Sequence, residues 1–325
     1  MSYDPRMRVA AAWMPLPDVD ALADASLARW LYRGDIERVD TPVEPLDAMA
    51  SLLGTTAPAD GRASLRFYGQ TADSPSVWMA GADPVYLEPR LDHLFLHACA
   101  PGEVPANEFR RLFNHLQDTL ATEGDFAFAR VGAYGYLRSD TAIETAALST
   151  QAVNQRVPND YMPSGGDAAR YRQRLSEIEM ALHDHEANLE RAARGAFPVN
   201  SLWLWGGGRL PDIEPVPLPP LFCNDPLLIG FWRKARASLA PFPVTIPEII
   251  AITDGGFATM LPLVPESGPL LEPALAALRD ALHAGRLNEV RLQFANGLVI
   301  TLRRRHRYRY WRTASPVPEL ERRAR

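Results

Sequence analysis

Apolar residues recur at intervals of three and four along residues 105–123. Phe109, Leu112, Phe113, Leu116 and Leu120 share one face, and Gly124 follows as a stop. This spacing predicts an amphipathic helix. The same period predicts helices over residues 18–34, 45–54 and 270–284, the first stopped at Gly34 and the last at Gly285. A longer helix is expected from an Asp167 cap to about residue 194, with Tyr171, Leu175, Ile178, Leu182, His185 and Leu189 as its buried stripe. Asn224-Asp225-Pro226 reads as a cap followed by proline at the first helical position, which predicts a helix over 227–239.

Short apolar or alternating runs predict strands at 64–68, 77–79, 85–87, 93–97, 126–131, 134–138, 199–205 and 246–253. Near the C-terminus Val290, Leu292 and Phe294 alternate, Asn296-Gly297 supplies a turn, and Leu298, Ile300 and Leu302 alternate back as a β-hairpin. Strands and helices interleave throughout. The expected class is therefore α/β, with a mixed sheet flanked by helices. One large α/β unit over 1–325 is expected. A sub-boundary near 139–166 would separate 1–150 from 160–312, and 313–325 form a tail.

Composition narrows the function classes. Hydrophobic residues make up 47% and charged residues 22%, which excludes general disorder. Two cysteines, Cys99 and Cys223, support neither a disulfide framework nor a cysteine zinc site. The run 9–16 is too short for a secretory core and is interrupted by Pro15, and no stretch approaches a membrane span. A cytoplasmic location without membrane contact is expected. The net charge is −5, but residues 299–325 hold nine Arg and two Glu, leaving −12 on the rest.

Three segments carry candidate chemistry. In VNSLWLWGGGRLP (199–211) an apolar strand runs into Gly206, Gly207 and Gly208. Their N–H groups could form an anion nest, with Asn200 orienting a polar group and Arg209 facing a phosphate or carboxylate. The alternative, favoured on pattern alone, is a buried strand with a tight glycine turn. His183, His185 and Glu186 lie within one turn, but His183 and His185 diverge by about 200° on a helix, so no shared metal is expected. RRRHRYRYWR (303–312) mixes arginine with Tyr308, Tyr310 and Trp311. It could bind single-stranded nucleic acid. The favoured alternative is a strand with arginines outward and aromatics inward, and the acidic remainder makes nucleic acid an unlikely partner. No G-x-S-x-G elbow occurs.

Residues 183–211 (HDHEANLERAARGAFPVNSLWLWGGGRLP) resemble the signature of bacterial RpfE-type regulatory proteins, with His185, Asn188, Arg191, Gly195 and 199–208 at the matching positions. ADPVYL (82–87), the helix from Pro105, the Gly165-Gly166-Asp167 start and the final RYWR are also similar to that family. The segment further resembles archaeal-type cofactor-independent phosphoglycerate mutases of the alkaline-phosphatase-like superfamily. That resemblance implies a truncated version of their architecture, two metal ions and a serine that becomes phosphorylated. The family's first metal-binding aspartate lies in an Asp-Gly segment where this chain has Val9-Ala10-Ala11-Ala12-Trp13. Its serine precedes a Leu-Leu-Gly helix resembling PLDAMASLLG (45–54), where Leu46 stands in its place. The late His- and Asp-rich metal motif has no counterpart between 254 and 325.

The resulting expectation is a non-catalytic regulatory relative, with no catalytic residues, metal or cofactor. It would sense a small anionic metabolite or a protein partner. The pocket implied by the signature comprises Asn188, Arg191, Asn200, Gly206, Gly207, Gly208 and Arg209. One alternative is an active metal-dependent phosphoryl-transfer enzyme, whose scattered ligands would be Asp83, His93, His97 and Asp254. The other is an interaction protein that uses its basic-aromatic segment.

Overall fold

The computed structural model describes residues 4, 8–14, 22, 24–122, 124–166, 168–240, 245–261 and 268–312. In chain order the elements begin with β1 (Val9–Met14), α1 (Ala25–Tyr32), β2 (Asp35–Arg38), α2 (Pro45–Leu53) and α3 (Arg62–Thr71). Next come β3 (Trp78–Pro89), β4 (Leu94–Ala98), α4 (Ala106–Leu120), β5 (Phe126–Val131), β6 (Tyr134–Ser139), α5 (Ala168–Leu182), α6 (Glu186–Ala193) and β7 (Ser201–Gly208). The path ends with β8 (Leu221–Phe222), α7 (Pro226–Lys234), β9 (Leu239–Ala240), α8 (Ile246–Ile252), β10 (Phe257–Met260), α9 (Gly268–His283), β11 (Glu289–Phe294) and β12 (Leu298–Arg303). The expected Asp167 cap and the 313–325 tail lie outside the described residues, as does most of 15–23.

The chain forms two compact units. The first comprises 1–57 and 213–325, the second 58–212. The segment 139–166, where a sub-boundary was expected, lies inside the second unit.

The first unit is a seven-stranded mixed sheet in the order β2-β12-β11-β1-β10-β8-β9. Strands β11, β1, β10, β8 and β9 run parallel, while β12 and β2 complete the edge antiparallel. The expected hairpin is β11 and β12, with Leu292 opposite Ile300. Every residue of β1 is buried. A central parallel strand covered on both faces reads as an unbroken apolar run, so alternation does not reveal it. Ala10, Ala12 and Met14 face a core built with Leu27, Leu31, Ile249, Leu275 and Leu278 from α1, α8 and α9. Helix α2 covers β1 and β11.

Residues 246–253, read as a strand, form helix α8 instead. Thr245 and Glu248 make a reciprocal capping box, and Pro247 sits in the first turn. These local signals outweigh the β-branched run. Likewise 64–68 is part of α3, whose residues 62–66 are all buried, so its burial shows no simple period.

The second unit is a five-stranded antiparallel sheet. Strand β3 pairs with β6 along its first part and with β4 along its last part, and β7 runs along its other side. The segments 77–79 and 85–87 are thus one strand. One face packs Ala80, Ala82, Leu137, Leu202 and Leu204 against α4 and α5. The opposite side chains of β3, β6 and β7 include Asp83, Tyr136, Trp203 and Trp205, with α3 packed against β3 and β7. The long helix expected from 167 to 194 is broken at 183–185. His185 caps α6 by accepting the Ala187 N–H at Nδ1, 3.1 Å. Among the described residues no helix is long and apolar enough to cross a membrane.

Candidate functional site

The signature residues occupy the second unit, but they do not converge. Asn188 is buried on α6, where its Nδ2 donates to Leu182 O (2.9 Å) and Val199 O (2.8 Å), and its Oδ1 accepts from Val199 N (2.9 Å). Three bonds thereby tie α6 to the α5 end and to the entry of β7. Arg191 is also buried. Its Nε donates to Phe197 O at 2.7 Å and its Nη1 reaches Glu108 at 3.2 Å, while Arg194 reaches the same Glu108 oxygen at 2.6 Å. Burial pushes the Glu108 carboxyl up, but hydrogen bonds from Arg194 and Arg191 outweigh it and hold the group below its ordinary 4.5. Asn200 bonds both backbone groups of Leu87, at 2.7 and 2.9 Å.

The glycines lie at the far end of β7. At a strand rise of ~3.3 Å per residue, Gly207 is roughly 23 Å from Asn200. The Gly206 N–H donates to Ala146 O (2.8 Å), and the Gly207 N–H to Thr145 Oγ1 (3.0 Å). A Cβ on Gly207 would lie 2.3 Å from the Trp78 ring, so glycine there permits close packing. Arg209, exposed, donates to Ser76 O at 2.6 Å. The seven residues therefore do not form one pocket, because β7 separates Asn188, Arg191 and Asn200 from the glycines and Arg209. Asn188→Ala should cost on the order of 2–3 kcal/mol in urea unfolding, since it orphans buried groups of residues 182 and 199. A cost below about 0.5 kcal/mol would contradict this structural role.

The strongest electrostatic centre of the second unit was invisible at the level of motifs. Arg66 of α3 is buried and donates through Nη1 to both Asp83 oxygens, at 2.9 and 2.7 Å. Its Nε reaches Tyr136 OH at 3.2 Å and its Nη2 the Gly135 carbonyl at 2.8 Å. Asp83 Oδ2 also accepts from Thr150 Oγ1 (2.9 Å) and Trp205 Nε1 (2.7 Å), and the Tyr136 hydroxyl donates to Gln70 Oε1. The rings of Tyr134, Tyr136 and Trp205 enclose the guanidinium at 4.7–5.0 Å. Burial opposes the charge on Arg66, but Asp83 and Tyr136 overcome it and raise its pKa. Gly81 makes room, because a Cβ there would lie 2.4 Å from Trp205 Nε1. Both Trp203 and Trp205 are therefore core residues. This network holds α3 on the sheet.

Within the second unit the ligands expected for phosphoryl transfer do not converge. Asp83 and His97 point to opposite faces, since His97 pairs with Tyr86, three residues from Asp83 on β3. His97 bonds Glu88 at 2.7 Å, and His93 bonds Asp92 at 2.6 Å. Asp254 lies in the first unit, between α8 and β10. Among the described residues no three His, Cys, Asp or Glu side chains are grouped to hold a metal ion. Burial pushes the Cys99 thiol up to about 12 and raises that of Cys223 also, which leaves no thiolate nucleophile.

Three histidines make stability depend on pH. Burial is the first cause holding His185, His283 and His306 below 6.5, reinforced by His115 and Arg111, by Arg279, and by Arg309 respectively. The unfolded chain takes up these protons near 6.5 and the folded chain resists them. Their contribution is complete above 6.5 and is lost as pH falls through that value toward the folded pKa. Urea midpoints at about pH 5.5 should lie below those at about pH 7.5. An unchanged or higher midpoint at the lower pH contradicts the assignment.

No family model matches the chain. It is distantly similar in sequence to cofactor-independent phosphoglycerate mutases. The 2,3-bisphosphoglycerate-independent phosphoglycerate mutase of Methanosarcina acetivorans is 27% identical over 116 residues, covering 35% of this chain and 29% of the relative. The 2,3-bisphosphoglycerate-independent phosphoglycerate mutase 2 of Methanothermobacter thermautotrophicus is 39% identical over 123 residues, covering 35% and 29%. The match thus spans under a third of the length of these two curated relatives. Among solved structures, the cofactor-independent phosphoglycerate mutase of Thermoplasma acidophilum aligns over 91% of this chain and 90% of its own, at 17% identity and a TM-score of 0.37.

Proposed function

We propose that this chain is a non-catalytic regulatory protein of RpfE type, distantly related to the cofactor-independent phosphoglycerate mutases, which acts by binding rather than by turnover. The carrying observation is Leu46. The resemblance assigns this position to the serine that becomes phosphorylated, and here it is an apolar side chain with no solvent exposure at the start of α2. A leucine has no nucleophilic atom. Strand β1, where the resemblance puts the first metal-binding aspartate, offers the methyl groups of Ala10, Ala11 and Ala12. Divalent ions need oxygen, nitrogen or sulfur donors. The described residues therefore do not fit the two-metal centre.

The bound species in this reading is a small anionic metabolite or a protein partner. An anion at the glycine turn would have to displace Ala146 O and Thr145 Oγ1 from the Gly206 and Gly207 N–H groups. That cost favours the partner. The test is thermal unfolding of the purified chain with phosphoglycerates, sugar phosphates and divalent metals, with metal content measured on the same sample. A metabolite at about 100 times its Kd should add ~2.7 kcal/mol without any metal. If Arg209→Ala leaves that affinity unchanged, the glycine turn is not the binding site. Stoichiometric metal, with stabilisation by phosphoglycerate only in its presence, would overturn the non-catalytic reading.

A further inference from the structure

The basic-aromatic segment does not fold as a strand with its rings inward. Strand β12 ends at Arg303, and residues Arg304–Tyr308 turn as a 3-10 helix. The inward side chains are polar ones. His306 is buried, Arg303 and Arg309 bind Asp35 at 3.1 and 2.6 Å, and Arg303 also pairs with the buried Glu289. The aromatics face solvent instead: Tyr308 is 58% exposed, Tyr310 70% and Trp311 68%. Large rings left this open on a folded surface mark an interaction site when they cluster with charge.

Arg304, Arg305 and Arg307 are exposed beside them, and among the described residues no carboxylate pairs with any of the three. Arg307 lies over the Tyr308 ring at 4.6 Å, and Tyr310 and Trp311 meet edge to face at 5.6 Å. The first unit has 20 basic and 19 acidic side chains and the second 14 and 20, a net +1 and −6.

We propose that Arg304, Arg305, Arg307, Tyr308, Tyr310 and Trp311 form a binding surface for single-stranded nucleic acid. Three exposed arginines are followed directly by three exposed rings, so one short segment offers partners for both phosphate and base. Arginines take the phosphates while exposed rings stack on bases, a sequence-tolerant mode. A purely acidic peptide would use the arginines and leave the three rings without a function. The inference is independent of whether the chain has mutase chemistry.

The test is fluorescence anisotropy of labelled single-stranded DNA and RNA of about 20 nucleotides, with the full chain at low and rising salt. Tyr310→Ala and Trp311→Ala should each weaken binding by about tenfold to a hundredfold, and Trp311→Phe should retain most of it. Replacing Arg304, Arg305 and Arg307 together by serine should flatten the plot of log affinity against log salt by about 2. Circular dichroism and the melting temperature of these surface variants should match the parent. Absence of binding at low salt overturns the proposal. So does equal binding of polyglutamate with no effect of either ring substitution, which would assign the surface to acidic peptides.

Discussion

Replacing Asp83 with alanine is expected to destabilise the 58–212 unit by about 3–5 kcal/mol. The carboxylate is the only anion on the buried Arg66 guanidinium among the described residues, and it also accepts from Thr150 and Trp205. Its loss leaves a buried charge without a counter-ion and two donors without an acceptor. The three rings around Arg66 offset part of this, at roughly 0.5–2 kcal/mol for a desolvated cation–π contact. They cannot replace a carboxylate that takes four short hydrogen bonds. The cost should appear as a lower urea midpoint with little change in slope. Adding Arg66→Met to Asp83→Ala should recover part of the loss, because removing both charges is cheaper than stranding one. A single-variant cost below about 1 kcal/mol, or no recovery in the double variant, would contradict this account of the centre.

Leu46→Ser is expected to cost about 2–5 kcal/mol and to yield no phosphorylated protein. The side chain is fully buried on α2, which packs on β1 and β11. Truncation removes apolar contact and leaves a cavity, and a hydroxyl there adds a polar group to an apolar setting. Activation of the serine in that family's manner needs a metal, and neither the alanines of β1 nor any described group of His, Cys, Asp or Glu side chains is placed to hold one. Incubation with phosphoglycerate and Mn²⁺ or Zn²⁺, read by intact mass, checks this. A stable variant that gains a phosphoryl group would mean that the metal site persists.

Much of the local structure was legible in the sequence where one face meets solvent. Helix α4 shows its apolar stripe, and the β11–β12 hairpin shows both alternation and its Asn296-Gly297 turn. The mixed α/β class follows from the interleaving of such elements. Legibility failed where burial is two-sided or where a short local signal decides. Strand β1 is buried on both faces, so it shows neither period. In α8 the Thr245–Glu248 box sets the helix against a run of isoleucines. The break at 183–185 is fixed by His185 as a cap, which the continuous stripe conceals.

The candidate site was less legible because it is assembled by topology. Asp83 draws its partners from α3, from the segment near Thr150 and from β7, up to 122 residues away. No local spacing encodes that set. The signature around Asn188 and Arg191 was visible as a pattern, but its chemistry is used internally: three bonds from Asn188, and the Arg191–Glu108 pair. The basic-aromatic segment was visible too. Its orientation depends on Asp35 and Glu289, which draw Arg303 inward and stop the alternation of β12 from continuing.

We propose that this scaffold binds without turning over substrate. This is tested most directly by following interconversion of the two monophosphoglycerate isomers by phosphorus NMR. The parent chain would be incubated in turn with Mn²⁺, Mg²⁺, Co²⁺ and Zn²⁺. The account predicts no interconversion and no release of inorganic phosphate above the protein-free control with any metal. Metal-dependent interconversion that grows with protein concentration and is abolished by chelation would contradict it.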